Sequence, residues 1–311
     1  MHCASGKVKR PSSLERRLVQ LGAALSLSVS AFALDPAKTV SQYNCQNWRR
    51  HDGLPVDRIN AITQTRDGYL WLATQKGVVR YDGSEFKVLN PSSQKQFQTE
   101  NVTCLARDHR GGFWFGLAGG SLGFCDGAAM PPVPSHPWLE RAINVLAITQ
   151  AKDGAVWLAS DKGAMRFLAD NSDGSAVFDE LGNCSALFED SQSRVWLGTV
   201  QHGLSYWQEG KLVQFPDESL KKNIIFAVAE DPQRRLWLGT EMGPRCYGPD
   251  FASAQIPETH AEVRALLVDR QGVVWMGTTG GGLVRFQHGA FSSFTRAEGL
   301  ADDTVILPGS E

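Results

Sequence analysis

The side chains able to do chemistry are spread too thinly along this chain to build a conventional active site. Its seven histidines (His2, His51, His109, His136, His202, His260 and His288) stand far apart, with no HExxH run and no paired metal-ligand spacing. There is no GxSxG elbow, no phosphate loop and no calcium loop. Carboxylates are plentiful, but no sequence feature sets two of them across one site, as glycoside hydrolysis requires. Beyond the first 33 residues five cysteines remain: Cys45, Cys104, Cys125, Cys184 and Cys246. None forms a CxxC pair, and an odd count cannot all pair within one chain. Cys104 and Cys184 fall at apolar strand positions, which predicts buried, inert thiols. The expectation is a chain with no catalytic residue, no metal site and no cofactor.

What does recur is a structural phrase. Trp71, Trp114, Trp157, Trp196, Trp237 and Trp275 each close the same short pattern, first written TRDGYLWLATQKGVVRYDG (65–83). Their spacings are 43, 43, 39, 41 and 38 residues. A fixed period near forty means one supersecondary unit copied around an axis or along a rod.

With the Trp as position zero, branched residues stand at −12 (Ile59, Val102, Val145, Ile225, Val263, with Cys184 in copy four) and at −9. Between them, at −10, every copy is small: Ala61, Cys104, Ala147, Ala186, Ala227 and Ala265. This suits the innermost strand of a propeller blade, where strands crowd together. A turn follows, with Asp108, Asp190, Asp231 and Asp269 at −6 and Gly at −3 in four copies. Ser193 and Arg234 replace that Gly in copies four and five, which predicts a different turn there. The second strand carries the Trp and then Thr74, Ser160, Thr199, Thr240 or Thr278 at +3. Four short strands per repeat, without helical periodicity, predict an all-β chain: a β-propeller of four-stranded, Trp-centred blades. Six repeats fall at about 56–95, 96–138, 139–180, 181–219, 220–258 and 259–296. Phe294–Val305 parallels Trp48–Ile59, so an incomplete seventh repeat is expected at 297–311, with 43–50 as the closing strand.

A binding surface is predicted where the inner strands begin, at one mouth of the central channel. Arg58, Asn101, Asn144, Asn183 and Glu262 stand at −13, and Asn60 and Arg264 at −11. One reading is a ring of hydrogen-bonding groups for a polar ligand such as a sugar. The other is that Asn caps the turn entering each strand and meets only backbone or water.

The N-terminus reads as a leader. Lys7, Lys9, Arg10, Arg16 and Arg17 precede an uncharged apolar run, Leu18–Ala33, that ends Ala31-Phe32-Ala33. This is a signal peptide layout (1–33), which predicts export to the periplasm with 34–311 as the propeller. An uncleaved leader would instead anchor the chain. The leader carries those five cations and Glu15, so the remainder has a net charge of −6. An acidic surface without a basic run argues against nucleic acid as partner.

The phrase resembles the two-component regulator propeller repeat, D-x-x-G-x-x-W-x-G-T-x-x-G-L-x-R, over about 56–300, and Gly53-Leu54-Pro55 resembles the entry to such sensors. The resemblance implies a periplasmic ligand-sensing module that works as a homodimer, normally followed by a β-sandwich, a membrane helix and a histidine kinase or diguanylate cyclase. No such transmitter lies within these 311 residues. The chain is therefore expected to be a truncated or fragmentary sensor, or a ring of six that closes by rearrangement. Any membrane attachment would come through missing downstream segments or the leader. The expected function is non-catalytic sensing of a carbohydrate or other small polar ligand. Two alternatives stay open: a secreted propeller enzyme, such as a streptogramin-type lyase using His202 or His288, and a protein-interaction scaffold using the acidic rim.

Overall fold

The computed structural model describes Gln42 and residues 48–311, apart from 91–98, 128, 132, 134–136, 143, 169–175, 258–260, 307–308 and 311. The leader, Cys45 and most of the closing strand lie outside the described residues. The described residues belong to one compact unit, Thr39–Glu311.

Six antiparallel sheets follow one another around a ring, each with the same strand order from channel to rim. The inner strands are Ile59–Gln64, Val102–Arg107, Val145–Gln150, Cys184–Glu189, Ile225–Glu230 and Val263–Val268. Each pairs with the strand that carries the repeat Trp, for example Leu70–Thr74 in blade one and Val195–Thr199 in blade four. Blades one, three, four and six have four strands from their own repeat. Blades two and five show three among the described residues. In blade five a single bridge, Tyr247 to Ser253, stands where the outer strand would be.

Two columns of side chains explain why blades stack. The small residue at −10 pairs directly with a second small residue at +2: Ala61 with Ala73, Cys104 with Gly116, Ala186 with Gly198, Ala227 with Gly239. The branched −12 residue of the following blade lies against that pair. A Cβ built on Gly198 would stand 2.8 Å from Ile225 Cγ2, and one on Gly116 would stand 2.8 Å from Val145 Cβ. The small column is thus the socket for the next blade. Second, the repeat Trp reaches an aromatic ring of the next blade: Trp71 meets Phe113 at 4.6 Å, Trp157 meets Trp207 at 5.9 Å and Trp237 meets Phe286 at 4.9 Å. Trp157, Trp196 and Trp237 have no exposed surface, so these contacts form much of the core.

All six turns between the first two strands share one geometry. The −6 amide donates to the carbonyl at −2, and the −3 amide donates back to the −6 carbonyl. Ser193 (φ 61°) and Arg234 (φ 60°) adopt the same left-handed backbone as the glycines, so the different turn expected for copies four and five does not occur. The buried Asp beneath the turn offsets the strain. Asp190 accepts from the Gln192 and Arg194 amides, from Arg194 Nε and from Trp196 Nε1. Asp231 repeats all four bonds with Gln233, Arg235 and Trp237.

The gap between blades six and one is bridged by the start of the seventh repeat. Val305 sits in the −12 register, against Gly277 of blade six. Gly309–Ser310 then pairs in parallel with Ile62–Thr63 of blade one. At the other end, Arg49–Gly53 and Thr295–Gly299 form the same capped turn, and Asp57 and Asp303 accept matching amides from Arg50 and Arg296.

Gly198→Val should lower stability by about 1–3 kcal/mol, because the added methyls overfill the socket for Ile225; urea unfolding reads this directly. Blade three has Ala151 at −6, and Trp157 Nε1 is buried without a partner. Ala151→Asp should therefore raise stability by about 1 kcal/mol by giving that indole the acceptor used in blades four to six. A lowered urea midpoint would count against this account of the Asp–Trp pair.

Candidate functional site

Every inner strand has a β-bulge at its entrance. Position −12 pairs with +3 and −10 with +2, so −11 is the extra residue. A bulge residue leaves the ladder and its side chain is re-aimed. In three blades that side chain donates to the −12 carbonyl of the next blade: Asn60 Nδ2 to Val102 O (2.7 Å), Thr103 Oγ1 to Val145 O (2.5 Å) and Ser185 Oγ to Ile225 O (2.7 Å). Asn60 is thus engaged in joining blades.

At −13 the backbone has a local task. The carbonyls of Asn101, Asn183 and Glu262 accept from the amides of Ala118 (2.9 Å), Val200 (2.9 Å) and Thr279 (3.0 Å), which fastens the second hairpin of blades two, four and six. The Asn144 amide donates to Asp161 Oδ1 at 3.1 Å. None of these bonds needs the Asn side chain. Asn101 Oδ1 and Asn183 Oδ1 are buried and accept no hydrogen bond. Arg58 is exposed on blade one. On blade six, Arg264 pairs with Glu262 (Nη2 to Oε1, 2.5 Å) and lies over the Phe226 ring of blade five at 3.8 Å.

All seven predicted residues therefore sit at strand entrances, but they do different work. Asn60 joins blades, the Asn144 amide is held by Asp161, Arg264 is held between Glu262 and Phe226, the Asn101 and Asn183 amide oxygens are buried, and Arg58 is exposed. Phe226 stands in the same −11 column but is not among the seven predicted residues. Its signal was an aromatic residue in a column that is otherwise mostly small or polar.

His202 lies in the second hairpin of blade four, where its amide donates to Thr199 Oγ1. His288 lies in the outermost hairpin of blade six, at φ 51°. The two are on different blades, at different distances from the axis. Among the described residues no three His, Cys, Asp or Glu side chains are grouped to hold a metal. Cys104 and Cys184 are buried, and burial pushes both thiols up to about 12.

At the opposite mouth the turns are joined by another relay. The −5 amide of one blade donates to the −7 side chain of the next: His109 to Gln150 (2.7 Å), Lys152 to Glu189 (2.9 Å) and Ser191 to Glu230 (2.7 Å). In blade five the −5 residue is Pro232, which has no N–H, and the facing −7 residue is Val268, which has no acceptor. Burial alone would raise Asp108, but the Arg110 side chain, the Arg110 amide and the Arg110 charge outweigh it and hold Asp108 below the usual carboxylate range.

Bulged inner strands, small-residue sockets and a Trp-centred second strand together define a β-propeller of the Trp-repeat class. Residues 53–76, 219–242 and 257–280 match the model of the two component regulator propeller. Three of the six Trp-centred repeats thus match that repeat model. Among solved structures it is similar to the extracellular domain of the hybrid two component system BT3049 from B. thetaiotaomicron, with TM-score 0.68 and 19% identity over 83% of this chain and 36% of that one. It is also similar to PorZ, a surface component of the type-IX secretion system of Porphyromonas gingivalis (TM-score 0.65, 15% identity, 84% of this chain and 45% of that one). A third similar structure is virginiamycin B lyase from Staphylococcus aureus (TM-score 0.60, 14% identity, 76% of this chain and 83% of that one). These likenesses establish the fold. The chain spans 36% and 35% of the length of the first two extracellular domains it matches. A search of the curated proteins gives no match. Among the described residues no helix is long and apolar enough to cross a membrane.

Asp108 has a folded pKa below its unfolded value of about 3.9, so it contributes stability above that pH and loses it as pH falls through the folded value. The urea midpoint should drop between pH 6 and pH 3, and Asp108→Asn should reduce the size of that drop. An identical pH dependence in the variant would show that the acid sensitivity lies elsewhere.

Proposed function

We propose that this chain is the exported, ligand-sensing propeller of a two-component-type signalling protein, with no catalysis of its own. The observation that carries the reading is the run of six in-register repeats, three of which match the two component regulator propeller model. The leader-like N-terminus supports export, and so does the likeness to extracellular domains of two component systems. The ligand would be a carbohydrate or other small polar molecule held at the strand-entry mouth by Arg58, Asn101, Asn144, Asn183, Glu262 and Arg264. Its binding would be passed on by the homodimer.

The test is a thermal-unfolding screen of the purified chain against a broad panel of sugars and small polar metabolites, with product analysis on every hit. A ligand at a hundredfold excess over its Kd stabilises by about 2.7 kcal/mol, a readily measured rise in Tm. A hit that is bound and recovered unchanged supports sensing. Turnover of the hit would overturn the reading in favour of the lyase alternative, for which the likeness to virginiamycin B lyase is the specific observation. In that case His202→Ala or His288→Ala should abolish turnover.

A further inference from the structure

Hydrogen bonds join the blades into a circuit. Blade one reaches blade two through Asn60 to Val102 O and through Arg66 Nη2 to His109 O at 2.8 Å. Blade two reaches blade three through Thr103 and the His109 amide. Blade three reaches blade four through Lys152, whose amide donates to Glu189 and whose Nζ donates to Asp190 O. Blade four reaches blade five through Ser185 and Ser191, and Tyr247 Oη donates back to Asp217 at 2.8 Å. Beyond blade six, the Val305 amide donates to Thr278 O at 2.8 Å, and Gly309–Ser310 pairs with blade one.

The circuit is broken at one place. Among the described residues no hydrogen bond or ion pair crosses from blade five to blade six. At the entry end the −11 residue of blade five is Phe226, which has no donor. At the turn end Pro232 faces Val268. What crosses instead is packing: Trp237 on Phe286, Pro232 against the Gly272 turn, and the Arg264 guanidinium over the Phe226 ring. A hydrogen bond that must break on opening lowers the open population by about fivefold. Local opening therefore starts where the fewest must break.

We propose that the junction between blades five and six is the place where the ring opens, a joint at which blade six parts from blade five. The joint goes beyond the sensing reading and does not depend on which ligand the mouth takes.

Native thiols report the opening. Cys246 is buried in the apolar cluster shared by blades five and six, and Cys125 in the one shared by blades one and two. Both lie on third strands and both are 2% exposed. Both of their blades show three strands among the described residues, so fraying of a sheet edge would affect the two alike. The experiment is alkylation of the folded full chain by iodoacetamide, read at each cysteine by peptide mass spectrometry. Each rate is divided by that of the same thiol in the urea-unfolded chain. Cys246 should react at least tenfold faster than Cys125. It should also outpace Cys104 and Cys184, which sit in the clusters of blades two–three and three–four. Pro232→Ser with Val268→Glu copies the Ser191–Glu230 bond into the junction. This double variant should slow Cys246 at least threefold and leave Cys125 unchanged. Equal protection of Cys246 and Cys125 in the unaltered chain overturns the joint, whether or not the double variant folds. A folded double variant in which Cys246 reacts as fast as before also overturns it, since the opening would then lie elsewhere in blade five.

Discussion

The structure depends on one contact repeated around the ring: the first residue of an inner strand, branched except for Cys184, seated on two small residues of the blade before it. Ile225 over Ala186 and Gly198, and Val145 over Cys104 and Gly116, are two instances. Inner strands of neighbouring blades share no ladder hydrogen bonds, so apolar packing of this socket must set how closely they approach. Interiors are close-packed and resist added volume, which fixes the size of both socket residues. The same contact recurs at Val305 on Gly277, and through it the start of a seventh repeat bridges blades six and one.

Once the sockets set the spacing, polar groups can cross between blades at both ends of the inner strands. At the entry end the bulge residue reaches the next blade's carbonyl. At the turn end the −5 amide meets the next blade's −7 acceptor. Where blade five has Pro232 and blade six Val268, donor and acceptor of this exposed relay are both missing. In blades four to six the Asp–Trp pairs meet the need of the buried indole inside the turn. They hold it firmly enough for Ser193 and Arg234 to sit at left-handed angles usually left to glycine.

Function follows from what these joints leave over. At the entry mouth the −13 carbonyls of blades two, four and six are engaged by the second hairpin. Asn60 and Arg264 are used between blades, and Arg58 is exposed.

The sequence by itself determined the class of fold, because a forty-residue period with Trp, Asp, Gly and small residues in register is a direct record of repeated local geometry. The socket's small partner was legible at −10, and the strand-entry position of all seven candidate residues followed from the same register. The turns of copies four and five were misread, since left-handed backbone at Ser193 and Arg234 depends on a buried carboxylate whose bonds no local pattern displays. Only the tertiary structure decided which mouth residues are engaged and which are free. The acceptor for Asn60 lies 42 residues away, and Arg264 meets Phe226 only because two blades are packed side by side. Periodicity records what each blade does alone; the contacts between blades exist only when the ring is assembled.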